Sequence, residues 1–237
     1  LSRNGLLIDD KEGDKKMLLA QVSSIASPYK SAKKITASIF LHVICPLMFR
    51  KSQSDESGPN DMVPEFRPLA AGPELCKDHQ KKFNYEPHIV FPTTTNIGET
   101  TFGWSGGQAI HFKRLTDATN HQYLQNIKPY LCKWKSLSRQ NAPPHSKIYM
   151  CANEDWKSLD WVLMCSHNLS KQAWGYPMEN GEYKIASYEL GVLIPGRKSL
   201  VPQQYASQLD KIPIAIPFDL PPTKHNTRDE PWSYERL

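Results

Sequence analysis

The sequence contains no hydrophobic run long enough to cross a bilayer. Its most apolar stretch, residues 35–49 (ITASIFLHVICPLMF), falls short of the ~20 residues a spanning helix needs, and His42 and Pro46 interrupt it. Nothing at the start reads as a signal peptide. There is no Cys-x-x-Cys pair, and the cysteines number five, at 45, 76, 132, 151 and 165. The expectation is reduced thiols in an intracellular protein. Neither sign of charge dominates: 29 Lys+Arg against 24 Asp+Glu leaves +5, compatible with a polyanionic partner but too mild to name one. No repeat recurs at a useful period. With 39% hydrophobic and 22% charged residues the chain is not a disordered tail, and 237 residues suffice for one large domain or two small ones.

Proline is plentiful, 19 residues, and forecasts many loops and few long helices. Residues 17–25 (MLLAQVSSI) read as a buried strand entering a Ser-rich turn, Ser23, Ser24 and Ser27. Residues 35–47 read as an apolar helix. Residues 51–86, broken by Gly58-Pro59, Pro64, Pro68 and Gly72-Pro73, read as a surface insertion, too short to link two independent domains. A short strand at 88–91 stops at Pro92. A Thr/Gly-rich loop follows at 93–107, with Phe102 and Trp104 as exposed aromatics. Apolar residues at 124, 127, 131, 134 and 137 have the spacing of an amphipathic helix. Strands are expected at 147–151, 161–165 and 188–194. The run at 161–165 (WVLMC) lacks alternation, so both its faces should be buried, as in a layered α/β sheet.

The densest chemical signal is Pro144-His145-Ser146-Lys147-Ile148-Tyr149. On a strand, side chains alternate, so His145, Lys147 and Tyr149 share one face while Ser146, Ile148 and Met150 share the other. An imidazole beside an ammonium offers proton transfer near neutral pH and a fixed positive charge. A bare His-x-Lys is usually only an edge strand with two solvated polar residues. Two more occur, His79-Gln80-Lys81 and His111-Phe112-Lys113, and neither is followed by the element that completes the pattern. That element is the strand 161–165 followed by Ser166-His167-Asn168-Leu169-Ser170-Lys171-Gln172-Ala173-Trp174-Gly175. The strand delivers Ser166 and Asn168 to its carboxyl end, and Asn168 is expected to cap a short helix that closes at Gly175. Free N–H groups and the Ser and Asn side chains there suit a phosphate oxygen. A plain strand–helix turn with an ordinary Asn cap is the competing reading.

Taken together, the His-x-Lys, the Asn 21 residues after the Lys, the Ser-x-Asn-Leu-Ser-Lys-x-Ala-Trp-Gly run and Ser187-Tyr188-Glu189-Leu190-Gly191-Val192 resemble the carboxyl half of the tyrosyl-DNA phosphodiesterases, in the phospholipase D superfamily. Residues 218–222 (FDLPP) and 229–232 (DEPW) agree, and residues 21–27 (QVSSIAS) are similar to the family's Ser-rich DNA-contact loop. The wider superfamily pattern would place Asp at 152, where this chain has Ala152, and that departure argues against a phospholipid enzyme.

The resemblance implies a phospholipase D-like α/β/α sandwich with a mixed central sheet, the whole of 1–237 forming a C-terminal catalytic half-domain. It implies hydrolysis of the 3′-phosphotyrosyl bond of topoisomerase I–DNA adducts through a phosphohistidine. His145 would be general acid and base, Lys147 and Asn168 would hold the phosphoryl oxygens, and Glu189 would hold the other imidazole nitrogen. Ser23, Ser24, Ser27, Ser166, Ser170, Lys171 and Trp232 would contact DNA or phosphate. No metal or other cofactor is needed, because the cations are side chains. The partners implied are single-stranded or nicked DNA with a 3′-phosphotyrosyl end, a topoisomerase I-derived peptide and the N-terminal half of the same enzyme, in the nucleus and off the membrane. The family uses two His-x-Lys…Asn half-sites and one is present here, so the isolated chain is expected to be inactive.

Three alternatives stand beside this. A zinc site could use His145, Cys151, Cys165 and His167, though their spacing is not that of a zinc motif. The chain could be a DNA- or partner-binding fragment without catalysis. It could also be a homodimeric phospholipase D-type nuclease in which two copies of His145 meet.

Overall fold

A computed structural model describes residues 14–26, 29–30, 36–37, 40, 44–45, 73–112, 124–178, 182–196, 200–206 and 211–236. The strands are β1 (Lys16–Gln21), β2 (Ser24–Ile25), β3 (Tyr29–Lys30), β4 (Thr36–Ala37), β5 (Tyr85–Val90), β6 (His111–Phe112), β7 (Leu131–Cys132), β8 (Lys147–Asn153), β9 (Leu159–Cys165), β10 (Tyr176–Pro177), β11 (Tyr183–Lys184), β12 (Gly191–Pro195), β13 (Leu200–Pro202) and β14 (Ile212–Ile214). The helices are α1 (Pro73–Lys82), α2 (Thr94–Gly98) and α3 (Lys171–Trp174).

Six strands make one mixed sheet in the order β12-β9-β8-β1-β5-β7. The β1, β5 and β7 side is parallel, and the β1, β8, β9 and β12 side is antiparallel. β1 lies at the join and is buried along its whole length. The apolar run Met17–Ala20 at its centre follows from having a covered face on each side. Alternation sorts the strands cleanly. Leu18, Ala20, Tyr149 and Cys151 belong to one apolar cluster, Met17, Leu19, Ile148 and Met150 to the other. The first cluster is closed by Phe40, Phe91, Ile97, Phe112, Leu169 and Trp232. The second is closed by Trp134, Trp156, Leu200, Phe218 and Leu220.

Several elements differ from the sequence reading, each for a physical reason. The expected helix at 35–47 lies mostly outside the described residues; of those described, Thr36–Ala37 is strand, paired with Tyr29–Lys30, while Phe40, Ile44 and Cys45 are helical. Of the expected irregular insertion at 51–86, residues 73–86 form α1 and the start of β5. The Thr/Gly-rich loop 93–107 is α2, opened by a reciprocal Thr93–Asn96 capping box, and then a 3-10 helix over Gly103–Ala109. The helix expected over 124–137 ends early. Residues 124–127 are helical, Lys128–Tyr130 is a 3-10 turn with Pro129 inside it, and Leu131–Cys132 joins the sheet beside Ile89–Val90. Pro129 has no N–H to continue the helical ladder. In the 161–165 run Met164 is exposed, because β9 has only one further strand, β12, beyond it. Residues 188–190 precede β12 and are not strand.

At the end of the strands away from His145, Glu86 receives Lys15 Nζ at 2.8 Å and Lys224 Nζ at 2.7 Å. Burial works to raise this carboxyl, but the two lysine hydrogen bonds outweigh it and pull it down to about 2. His88, buried edge-on against Trp156 at 5.2 Å, is pushed down to about 4 by burial, with Glu86 opposing.

Candidate active site

His145 and Lys147 leave the start of β8 on the face that Tyr149 and Cys151 continue into the core. His145 is exposed, whereas Lys147 is 8% exposed. The Lys147 ammonium donates to the His145 carbonyl at 2.5 Å and lies 3.4 Å from each ring nitrogen of the same residue. Burial pushes the ammonium below its ordinary value, and the nearby Glu189 carboxylate pushes back. The imidazole is lowered by burial, then by Lys147, then by His111.

Asn168 does something other than the expected capping. Its Oδ1 accepts the Ser23 N–H at 3.1 Å, the Ser24 N–H at 3.0 Å and the Ser23 hydroxyl at 3.3 Å. Three donors on one oxygen fix the orientation of the amide and leave its NH₂ as the free donor group. The helix that follows is capped by Ser170, whose hydroxyl accepts the Ala173 N–H at 3.2 Å, and it does close at Gly175, in the left-handed region at φ 78°.

A lateral row of the sheet carries the remaining geometry. Lys147 pairs with Cys165, and Cys165 with Gly191. A Cβ on Gly191 would meet Cys165 Cβ at 2.5 Å, so glycine lets β12 close on β9. Ser166 pins the segment before β12: its Oγ donates to the Leu190 carbonyl at 3.3 Å and accepts the Leu190 N–H at 3.0 Å. This holds Glu189 where its field reaches Lys147, Cys165 and His167.

The residues named from sequence therefore divide. His145, Lys147, Asn168, Ser23 and Ser24 come together. Glu189 joins them through its field at Lys147. Ser166 and Ser170 are engaged with backbone, as described. Lys171 is half-buried on α3. Ser27 lies outside the described residues. Trp232 is not a substrate contact: it is fully buried, with its Nε1 donating to the carbonyls of Gly107 and Ile110, each at 3.1 Å. His167 lies tilted against Trp174 at 4.8 Å between ring centroids, and buried Cys151 donates its thiol to the half-exposed Asp160 carboxylate at 3.3 Å.

Two residues were passed over. Gln21, at the end of β1, accepts the Ser146 hydroxyl at 2.6 Å and steadies the entrance of β8. His111, set aside as an incidental His-x-Lys, sits on β6 beside Ser24 and its charge reaches His145. Its pairing with a segment 87 positions earlier leaves no local mark in the sequence. A cavity of about 530 Å³ also opens by His145, but Ile148 in its lining, with Met164 paired opposite it, belongs to the sheet face opposite Lys147.

A mixed six-stranded sheet that brings a His-x-Lys strand and the Asn of its antiparallel neighbour to one end has the phospholipase D-like fold. The architecture matches the crystal structure of the yeast tyrosyl-DNA phosphodiesterase with a TM-score of 0.68, at 24% identity, over 93% of this chain and 50% of that one. A family model described as tyrosyl-DNA phosphodiesterase matches residues 1–226, and the chain belongs to that family. It is 33% identical over 180 residues to a probable tyrosyl-DNA phosphodiesterase of Schizosaccharomyces pombe, covering 61% of this chain and 33% of that protein. It is 26% identical over 230 residues to tyrosyl-DNA phosphodiesterase 1 of Saccharomyces cerevisiae, covering 87% of this chain and 41% of that protein. The match thus spans about a third to a half of the length of these relatives.

Proposed function

We propose that this chain supplies the acid–base half-site of a nuclear DNA-repair phosphodiesterase that hydrolyses 3′-phosphotyrosyl bonds between DNA and a topoisomerase I-derived peptide. The observation that carries the reading is the orientation of Asn168. Two backbone N–H groups hold its oxygen and leave its NH₂ to donate, and in this reading it serves phosphate together with the Lys147 ammonium, which is bonded to the His145 carbonyl. Donors fixed before the reaction, aimed where phosphoryl charge grows, are the arrangement that stabilises a phosphoryl-transfer transition state.

The reaction then runs in two displacements. A histidine from the N-terminal half attacks phosphorus, and the bond to the tyrosine oxygen breaks as His145 gives that oxygen its proton. A water next attacks the phosphohistidine while His145 takes the water's proton. The phosphorus–nitrogen bond breaks, leaving a 3′-phosphate. A lowered imidazole pKa makes His145 the stronger acid in the first step. Glu189 sustains the charge on Lys147 against burial. The isolated chain lacks a nucleophile in this scheme and does not turn over.

The test is His145→Asn in the full-length enzyme, assayed on a 3′-phosphotyrosyl oligonucleotide. The first step slows and the second stalls, so a covalent protein–DNA adduct accumulates on a denaturing gel. Unchanged turnover removes His145 from the mechanism.

A further inference from the structure

The loop that leads into β8 is held by hydrogen bonds of its own. The Ser136 hydroxyl accepts the Arg139 N–H at 3.0 Å, the Gln140 side-chain oxygen accepts the Ser136 N–H at 3.0 Å, and the Ala142 N–H donates to the Arg139 carbonyl at 3.0 Å. Asp219 Oδ1 ties the loop to the segment after β14 by accepting the Leu137 N–H at 3.0 Å. This loop supplies Ser138, Arg139, Ala142 and Pro143 to the wall of the cavity of about 530 Å³ beside His145. That volume lies within the range of small-molecule sites. The lining includes His145 but neither Lys147 nor Asn168. It carries a guanidinium and an imidazole, and no carboxylate. Arg139 is exposed and has no carboxylate partner among the described residues.

Donors are in surplus here. Among the described residues the buried indole N–H groups of Trp134, Trp161 and Trp174 have no acceptor, and Trp134 is the one of these on the wall of a described cavity. Gln21, whose Oε1 accepts the hydroxyl of the lining residue Ser146, has a buried NH₂ that is also without an acceptor. A buried N–H left unpaired carries its full desolvation penalty, so it favours the arrival of an acceptor atom. The remaining wall is apolar, with Pro144, Ile216 and Pro217 beside the Trp134 ring. We propose that this cavity binds a small organic acid, its carboxylate taken by the Arg139 guanidinium and its flat apolar body laid against Trp134 and the prolines. The planar guanidinium fork matches the two oxygens of a carboxylate. Inorganic phosphate would leave the apolar wall unused. An occupant of this cavity touches the acid–base residue His145 while the Lys147 and Asn168 donors stay open to phosphate, so the binding does not depend on the phosphoryl-site reading.

The experiment titrates the 237-residue chain, with isotope-labelled tryptophan and histidine, with two probes of the same shape, naphthoate and the neutral naphthamide. The Trp134 indole N–H resonance is the one missing from Trp134→Phe. Naphthoate moves that resonance downfield as the N–H gains an acceptor, and it moves the His145 ring resonances with it. Naphthamide binds about tenfold more weakly, the difference expected for losing one charge-assisted interaction. Arg139→Gln, a change at an exposed residue that leaves the fold intact, weakens naphthoate by the same factor and leaves naphthamide unchanged. Lys147→Met leaves naphthoate affinity unchanged. The proposal is overturned if naphthoate shifts nothing up to about 10 mM, if acid and amide bind equally, or if Arg139→Gln binds naphthoate as the native chain does. It is also overturned if Lys147→Met abolishes binding, because the acid then sits among the Lys147 and Asn168 donors instead.

Discussion

Gly107 and Trp232 are locked together: the indole N–H of Trp232 donates to the Gly107 carbonyl, and a Cβ on Gly107 would fall inside the indole ring. The contact ties the 3-10 helix at 103–109 to residues near the end of the chain. Gly107→Ala should cost roughly 1–3 kcal/mol by overpacking, and Trp232→Ala roughly 3–5 kcal/mol by cavity formation. Urea unfolding followed by circular dichroism measures both. A Trp232→Ala chain of unchanged stability would return Trp232 to the list of surface contacts.

Asn168 has two jobs that substitution can separate. Asn168→Asp keeps an oxygen to accept from Ser23 and Ser24, but removes the NH₂ and adds a negative charge facing phosphate. In the full-length enzyme it should cost on the order of 10²–10³ in kcat with little change in Tm. Asn168→Ala strands the two N–H donors and should also lower stability, by about 1–3 kcal/mol. Near-normal kcat for Asn168→Asp would reduce the residue to a purely structural role.

His88 and Glu86 predict an acid-sensitive fold with two windows. His88 is held near 4 in the folded chain against 6.5 unfolded, so the folded state binds fewer protons between those values. Its contribution is complete above pH 6.5 and is lost as pH falls to 4, by roughly 3 kcal/mol. Glu86 is held near 2 against 4.5, so its contribution is present above 4.5 and is lost as pH falls toward 2. Urea melts between pH 7 and 4 should lose stability in the native chain and much less in His88→Gln. Parallel curves for the two proteins would exclude His88 as the cause.

Ser166 should matter through Leu190. Ser166→Ala frees the Leu190 N–H and should cost about 1 kcal/mol, with faster hydrogen exchange at Leu190. Exchange at Ile148, inside the β8 ladder, serves as the reference and should stay slow. Unaltered Leu190 protection would mean that β12 alone positions Glu189.

What was legible in the sequence follows the range of the interactions. Alternation within β8 is a local property, so the face shared by His145, Lys147 and Tyr149 could be read directly. The run 166–175 placed Asn168 at the carboxyl end of β9 correctly. Its role was misread because Ser170, two residues on, has the same capping chemistry, while the true partners of Asn168 lie 144–145 positions away. His111 was dismissed for the same reason: its neighbour Ser24 is brought to it by β2–β6 pairing. Trp232 was named as a DNA or phosphate contact by resemblance, and nothing near it in sequence announces its partner Gly107. The helix expected over 124–137 stops after 127 because an apolar spacing says nothing of the open β5 edge that recruits Leu131 and Cys132.

The position of β1 has a consequence for how the chain is made. One edge of this strand, whose centre Met17–Ala20 is apolar, is completed by β8, with Lys16 opposite Asn153 and Gln21 opposite Ile148. A ribosome adding ~5–20 residues per second needs roughly 6–26 s to cover that interval. Throughout it the unpaired edge of β1 is a template for any other extended segment nearby. A nascent chain stalled between residues 100 and 147 holds β1 and β5 but not β8, and would be prone to pair with its neighbours on the same message.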